Sequence, residues 1–454
     1  MSIYYNKKIF IYLISYMSIS ILESILFFIL KINYFDLAII SIVQLFINII
    51  CLVTFFKSDS VYSCLFMFLS WIFHCGQIIV KGFNLNINII FDVESYATFD
   101  VILLSFKFYY FSQIFIMIGI ILYYMLHSNH KINNIENNFD FKRIGIYLFI
   151  LGFIPRLYID ISQLYNGIFN GYFGVYSLTF PQVFQTLAFL CDASMVFFLF
   201  SFEDRKKIIL FYVVVFYKLL MMATGARQEK FVFLIMWFFI YFFIIKKTSF
   251  ITILKISIFG YFAISFIYSI GTFRVAESIN ILDILEQTFS LNNKMIGDLL
   301  AEFGSALNTL VVTVNNTPDV VNYGYGSSFF AGIISIVPKL VSFFPFLIDK
   351  ITYITMYRGT TFFGGSYLGE FYYNFGFYGL LFIIFIGSLI GKIQFNLTSK
   401  HTGLGFTLNK IFFSIFGIYL ILYIRGYFSD FVQKIVWLYI LIIIFNKIKF
   451  KIKR

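Results

Sequence analysis

Apolar runs, each about the length of one bilayer crossing, alternate along the chain with short charged breaks. A membrane-spanning helix needs roughly 20 apolar residues, and on that measure runs fall at 10–30, 35–56, 61–80, 100–126, 144–161, 183–202, 208–224, 231–245, 250–270, 366–391, 411–424 and 431–446. The pattern predicts an all-α, polytopic integral membrane protein with about 12 transmembrane helices and residues 1–454 as a single transmembrane domain. One region breaks the rhythm. Residues 271–365 form a large loop whose longest apolar stretch, FFAGIISIVPKLVSFFPFLI at 329–348, is interrupted by Pro338 and Pro345. Crossing alone, that stretch would invert the last three helices, so it reads as re-entrant or interfacial. Earlier in the loop, Ile296, Leu299, Leu300, Phe303, Leu307, Leu310, Val311 and Val314 recur at helical spacing. Asp298, Glu302, Ser305 and Asn308 occupy the opposite face, which predicts an amphipathic helix lying on the membrane–water boundary with that face toward water.

Composition agrees with the pattern and charge orients it. The chain is 60% hydrophobic and 12% charged, with a mean hydropathy of +0.88, which excludes a soluble globular class. The 66 Phe accompany heavy use of Ile, Asn and Lys, a combination that AT-rich codons produce, so aromatic richness alone does not mark a binding surface. A net charge of +12 suits loops held beside anionic lipid and implies no nucleic acid. With a cytoplasmic N-terminus, alternation places Lys131, Lys142 and Arg143, then Arg205 to Lys207, Lys246 and Lys247, Lys392, Lys400 and Lys410, and the tail KIKFKIKR on the cytoplasmic side. Both termini are then cytoplasmic and 271–365 is extracytoplasmic. The first run follows Lys7 and Lys8 and no small-residue cleavage site succeeds it, so it reads as a retained span. All four cysteines (Cys51, Cys64, Cys75, Cys191) fall in apolar runs and the four histidines do not cluster with carboxylates, so neither a disulfide framework nor a metal site is expected. No Walker loop, dinucleotide-binding motif or outer-face Ser-His-Asp set occurs, and no cofactor is expected.

Of the eight arginines, five (Arg156, Arg227, Arg274, Arg358, Arg425) defy the cytoplasmic bias and fall at outer helix ends or in outer loops. Arginine offers a planar fork that matches phosphate or carboxylate oxygens in pairs. The contexts TGARQEK, IGTFRVAE, MYRGTTFFGGS and YIRGYFSD each set glycine beside or near the arginine, which allows close approach of a ligand or backbone. Each arginine also has a structural reading: Arg156 with Asp160 as an i,i+4 surface pair, Arg227 with Glu229, Arg425 with Asp430, and Arg274 and Arg358 as loop anchors to headgroups. Asp192 and Lys218 each lie about ten residues, roughly 15 Å, from the hairpin EDRKK that joins their helices. Equal depth predicts an intramembrane ion pair, with a proton relay as the lesser alternative. The last feature is GGSYLGEFYYNFGFYG at 364–379, where a carboxylate opens a span. Helical spacing gathers Tyr367, Glu370, Asn374 and Tyr378 into one stripe, with Gly365 and Gly369 as a small-residue face.

Architecture, outer arginines and the segments GARQEK (225–230) and GGSYLGEFYYNFGFYG (364–379) together resemble the O-antigen polymerases, the Wzy-type oligosaccharide repeat unit polymerases. The resemblance covers the whole chain. It implies a metal-independent glycosyltransferase of the C-type helical class in the bacterial inner (cytoplasmic) membrane, working at the periplasmic face. Such an enzyme moves a growing polysaccharide from undecaprenyl pyrophosphate onto a fresh lipid-linked repeat unit, with membrane lipid, a chain-length regulator and a flippase as partners. On that reading Arg227 and Arg274 take the pyrophosphate, Arg358 and Arg425 support it or a second lipid carrier, Tyr367 and Asn374 bind substrate, and Glu370 accepts the acceptor hydroxyl's proton. The competing reading of Glu370, a packed carboxylate tied to an arginine, stays open. A lipid-linked oligosaccharide flippase is the alternative. An O-antigen ligase is disfavoured because residues 271–365 contain no histidine.

Overall fold

The computed structural model describes residues 14–21, 24–25, 32–85, 91–127, 140–169, 174–175, 178–222, 227–246, 265, 293–337, 340–357, 363–398 and 404–447. Every regular element among these residues is helical. Eight helices among them are long and apolar enough to cross a membrane: Tyr34–Phe56, Val61–Gly82, Phe99–His127, Phe141–Gly167, Val183–Ser201, Tyr367–Thr398, Thr407–Arg425 and Phe428–Asn446. They fall on eight of the segments that hydropathy marks. The run at 208–224 is helical as far as Met222, beyond which it lies outside the described residues, and the run at 231–245 is helical and ends in a π turn, Ile240–Ile245. The run at 250–270 lies outside the described residues apart from Ser265, and 10–30 is described only in part.

Two compact units divide the chain. The first takes residues up to Asn133, Ile296–Lys400 and Tyr423–Val432. Its helices are α1 (Tyr34–Phe56), α2 (Val61–Gly82) and α3 (Phe99–His127) from the first segment. In chain order the other helices of the molecule are α4 (Phe141–Phe169), α5 (Gln182–Ser201), α6 (Asp204–Met222), α7 (Arg227–Phe239), α8 (Asn293–Phe303), α9 (Ala306–Asn316), α10 (Ser327–Ile334), α11 (Tyr367–Phe375), α12 (Gly379–Thr398), α13 (Leu404–Leu422) and α14 (Phe428–Lys447). Glycine permits close helix contact in this unit. A Cβ on Gly119 of α3 would stand 2.2 Å from the Ile384 carbonyl oxygen, and one on Gly387 of α12 would stand 2.2 Å from that of Ile116. Only paired glycines let α3 and α12 touch backbone to backbone, the packing that membrane helices favour.

The helix expected over 296–314 is two helices, α8 and α9, with a turn at Gly304 and Ser305 between them. Asn308, expected toward water, is 0% exposed and donates 2.7 Å to the Phe91 carbonyl. Its neighbour Thr309 donates to the Gly364 carbonyl at 2.8 Å. The polar face of α9 therefore turns inward, and backbone carbonyls stand in for the water it gives up. That arrangement brings α9 against α11 and α3 and makes it a core helix of the unit.

The second unit takes Asn134–Met295, His401–Leu422 and Gln433–Arg454. Here α4 and α5 lie side by side along much of their length, and α13 packs on α5 and α7. The first turn of α6 carries Asp204, Arg205, Lys206 and Lys207, and its body carries Lys218. Trp237 of α7 is buried against Phe211 of α6, with its indole N–H donating to the Phe211 carbonyl.

Candidate functional site

GGSYLGEFYYNFGFYG is built around a helix start. Ser366 is the N-cap of α11, extended at φ −150° and ψ 126°, and its Oγ accepts from the Gly369 N–H at 3.3 Å. Behind the cap stands His74 of α2. Its Nδ1 is 3.0 Å from the Ser70 carbonyl and its Nε2 is 3.0 Å from Ser366 Oγ. A carbonyl only accepts, so Nδ1 carries the proton and Nε2 receives the serine hydroxyl. Tyr353 donates its hydroxyl to the Ser366 carbonyl at 3.2 Å, and Tyr367 pairs with Ser70 Oγ at 3.1 Å. The cap is thus held from three sides.

The stripe read from helical spacing is real for three of its four members. Tyr367, Glu370 and Asn374 are all buried. Gly376, at φ +55°, then breaks the helix into a 3-10 turn, and Tyr378 emerges 78% exposed. The expected fourth position fails because the periodicity that groups it stops at a backbone conformation that favours glycine.

Glu370 is 0% exposed and accepts three hydrogen bonds. Ser328 Oγ donates to Oε1 at 2.8 Å, while the Phe428 N–H at 2.9 Å and the Tyr423 hydroxyl at 3.2 Å donate to Oε2. None of the three donors is a cation, so an arginine does not hold this carboxylate in the described arrangement. Asn374 completes the set: its Nδ2 donates to Ser328 Oγ at 2.7 Å and its Oδ1 accepts from the Gly326 N–H at 2.9 Å. Two segments distant in sequence, 326–328 and 423–428, are thereby fastened to α11. Close backbone packing reinforces the second. A Cβ on Gly365 would stand 2.2 Å from the Gly426 carbonyl oxygen, and Gly364 faces the Arg425 side chain, whose Cγ and Nε are 3.6 Å from where its Cβ would be.

Of the sequence-derived arginines, Arg425 lies in the 3-10 turn Tyr423–Arg425, with Nη1 3.4 Å from the Glu302 carbonyl. Arg227 is the first residue of α7, its side chain outside the described residues. Arg274 and Arg358 also lie outside them. The structure therefore brings Glu370, Tyr367, Asn374 and Arg425 into one neighbourhood. Phenols nearby, Tyr353 and Tyr357, have pKa values pushed up by burial, which keeps them neutral.

A different cluster occupies the second unit. Arg156 donates from Nε to Asp160 at 2.8 Å, as the i,i+4 spacing predicts, and from Nη1 to Asp192 at 3.2 Å. Lys218 Nζ reaches Asp192 at 2.6 Å, the pair expected from equal depth. The Tyr217 hydroxyl also donates to Asp160, and Lys230 of α7 donates to Gln163 at 2.9 Å. Arg156 was expected in a surface pair and is instead buried, because α5 and α6 bring Asp192 and Tyr217 over it. Counting depth on both sides of the loop between α4 and α5 would have revealed the link, since Asp160 and Asp192 each lie about ten residues from the facing helix ends at Phe169 and Gln182. No sequence signal singled out Ser328, and His74 read only as a lone histidine in a span.

A family model described as O-antigen polysaccharide polymerase Wzy matches residues 8–454. No curated protein and no solved structure matches the chain.

Proposed function

We propose a reaction and a site for this chain, which belongs to the O-antigen polysaccharide polymerase Wzy family. Membership makes it a multi-pass membrane protein that polymerises oligosaccharide repeat units, with lipid-linked repeats as its kind of substrate. In the proposed reaction, the growing chain on undecaprenyl pyrophosphate is the donor and a fresh lipid-linked repeat is the acceptor. The acceptor's hydroxyl oxygen forms a bond to the donor's anomeric carbon. The bond from that carbon to the pyrophosphate oxygen breaks, the pyrophosphate departs on its lipid as an anion, and the hydroxyl proton passes to a protein carboxylate. The proposed setting is the periplasmic face of a bacterial inner membrane, with both termini cytoplasmic, a C-type glycosyltransferase architecture, and a flippase and a chain-length regulator as partners.

The negative charge that grows on the leaving pyrophosphate calls for pre-placed donors. Arg227 and Arg274 are assigned to it, and Arg358 and Arg425 to its support or to a second lipid carrier, guanidinium being suited to paired oxygens. Glu370 is the proposed proton acceptor. Ser328, Tyr423 and the Phe428 N–H enclose it in the described arrangement, so the reaction requires release of the Ser328 bond to bare Oε1. Tyr367 and Asn374 hold the helix that presents it and line the same stripe.

One observation supports this reading above the others. The glycine-serine-glutamate segment and the YIRGYF turn dock on each other through Gly365, Gly426 and Glu370, which sets a carboxylate and Arg425 in one neighbourhood. The test is the surface polysaccharide of a deletion strain on a gel. A polymerase deletion leaves core carrying a single repeat unit, and loss of every repeat would overturn the assignment. Normal ladders from Arg227→Ala, Arg274→Ala, Arg425→Ala or Glu370→Ala at wild-type expression would remove that residue from the site.

A further inference from the structure

The described residues 330–337 and 340–348 carry apolar side chains on both sides. On the inner side Ala331, Val341 and Leu347 pack together, with Ile334 and Ile351 against them. The outer side is where a loop in water carries polar groups. Here it exposes Phe330, Ile333, Val337, Phe343, Phe346 and Ile348, with Phe343 78% and Phe346 69% bare. Bare apolar surface of this extent marks a partner surface.

The position of the segment identifies the partner. Phe329 of α10 lies 5.1 Å from the Phe371 ring, 6.1 Å from that of Phe375 and 5.0 Å from that of Phe428, so α10 sits on the opening turns of the span Tyr367–Thr398. Phe375 stacks in turn on Phe382 at 4.3 Å. From there Leu381, Phe382 and Phe385 continue along the span as exposed apolar side chains, the arrangement of a hydrocarbon-facing helix surface. The apolar outside of the segment is therefore continuous with the lipid-facing side of a span.

We propose that the described residues of 330–337 and 340–348 dock on the bilayer, with Phe343 and Phe346 in acyl-chain hydrocarbon of the adjacent leaflet. Recognition rests on apolar area and aromatic rings at the interface, with no headgroup-specific hydrogen bonds required. The neighbouring α10 carries Ser328 to Glu370 and packs Gly332 against the Ser429 backbone, so the helix that leads into the lipid seat also supplies a donor to the buried carboxylate.

Tryptophan placement tests this without reference to activity. Phe343→Trp, Phe346→Trp and a reference variant, Val320→Trp, at a site 72% exposed, are reconstituted as full-length protein into phosphatidylethanolamine–phosphatidylglycerol vesicles. Each is read as the difference from the unsubstituted protein. At positions 343 and 346 the added emission should be blue-shifted and quenched by acyl chains brominated near the glycerol end. Aqueous iodide should quench position 320 and spare the other two. Iodide quenching at 343 and 346 equal to that at 320 would put both side chains in water. Protection there from both quenchers would mean a protein cover, such as a second copy of the chain. Either result overturns the proposal.

Discussion

Glu370 in the first unit and Asp192 in the second are both buried carboxylates on apolar helices, and their partners are of opposite kinds. Glu370 is held by two hydroxyls and a backbone N–H. Asp192 is held by Lys218 and Arg156, and Arg156 also binds Asp160. A buried charge held by opposite charges is fixed in number as well as place, since losing one member strands another in a medium that cannot solvate it. A carboxylate held by neutral donors can take up a proton without stranding a partner's charge. The contrast agrees with the proposed function, in which Glu370 accepts a proton and the second cluster is structural.

The largest effect should come from breaking the ionic cluster. Asp192→Ala leaves Arg156 and Lys218 without their shared acceptor and should cost about 3–5 kcal/mol, measured as a drop in the melting temperature of the detergent-solubilised protein. Adding Lys218→Met restores charge balance, with Arg156 still on Asp160, and should recover part of the loss. Exchanging Asp192 and Lys218 would suit an isolated pair. Here it sets a lysine beside Arg156 and should not recover stability. A melt unaffected by Asp192→Ala would show that the cluster is solvated and would end the contrast.

Glu370→Gln asks the opposite question. It keeps the side chain's shape and an acceptor oxygen, so thermal stability should fall by only about 1–2 kcal/mol. Loss of the proton acceptor should slow polymerisation by about 10²- to 10⁴-fold, seen as collapse of the polysaccharide ladder to a single repeat. A parallel loss of stability and ladder would recast Glu370 as a fastener alone.

Smaller effects test the docking of the two segments. Gly365→Ala drives a methyl group into the Gly426 carbonyl, backbone against backbone, and should cost about 1–3 kcal/mol, with shortened chains on the gel. Tyr423→Phe removes the longest of the three bonds to Glu370 and should cost about 1 kcal/mol, leaving the ladder near normal. A Tyr423→Phe change as harmful as Glu370→Gln would mean that the phenol itself takes part in the reaction.

Much of the fold is legible because its cause is local. Bilayer thickness sets the length of an apolar run, and eight such runs are span-length helices. Depth counting on either side of a short hairpin foresees Asp192 and Lys218, because antiparallel neighbours put equal distances at equal heights. It also contains the Asp160–Asp192 relation that joins Arg156 to the pair. Helical spacing collects Tyr367, Glu370 and Asn374, and it goes wrong for Tyr378 at Gly376 and for Asn308 on α9. In each of those cases spacing assumes an unbroken helix or a free outer face, and tertiary packing supplies neither.

The sequence by itself determined the class of the protein, the places of the described spans, the family resemblance and the stripe that contains Glu370. Only the tertiary structure decided what that carboxylate touches. Ser328, Tyr423 and Phe428 are 42, 53 and 58 residues from it along the chain. Hydropathy and helical period register a residue's own helix and face, whereas these partners are chosen when distant segments close on one another, guided by the glycines that let Gly365 meet Gly426.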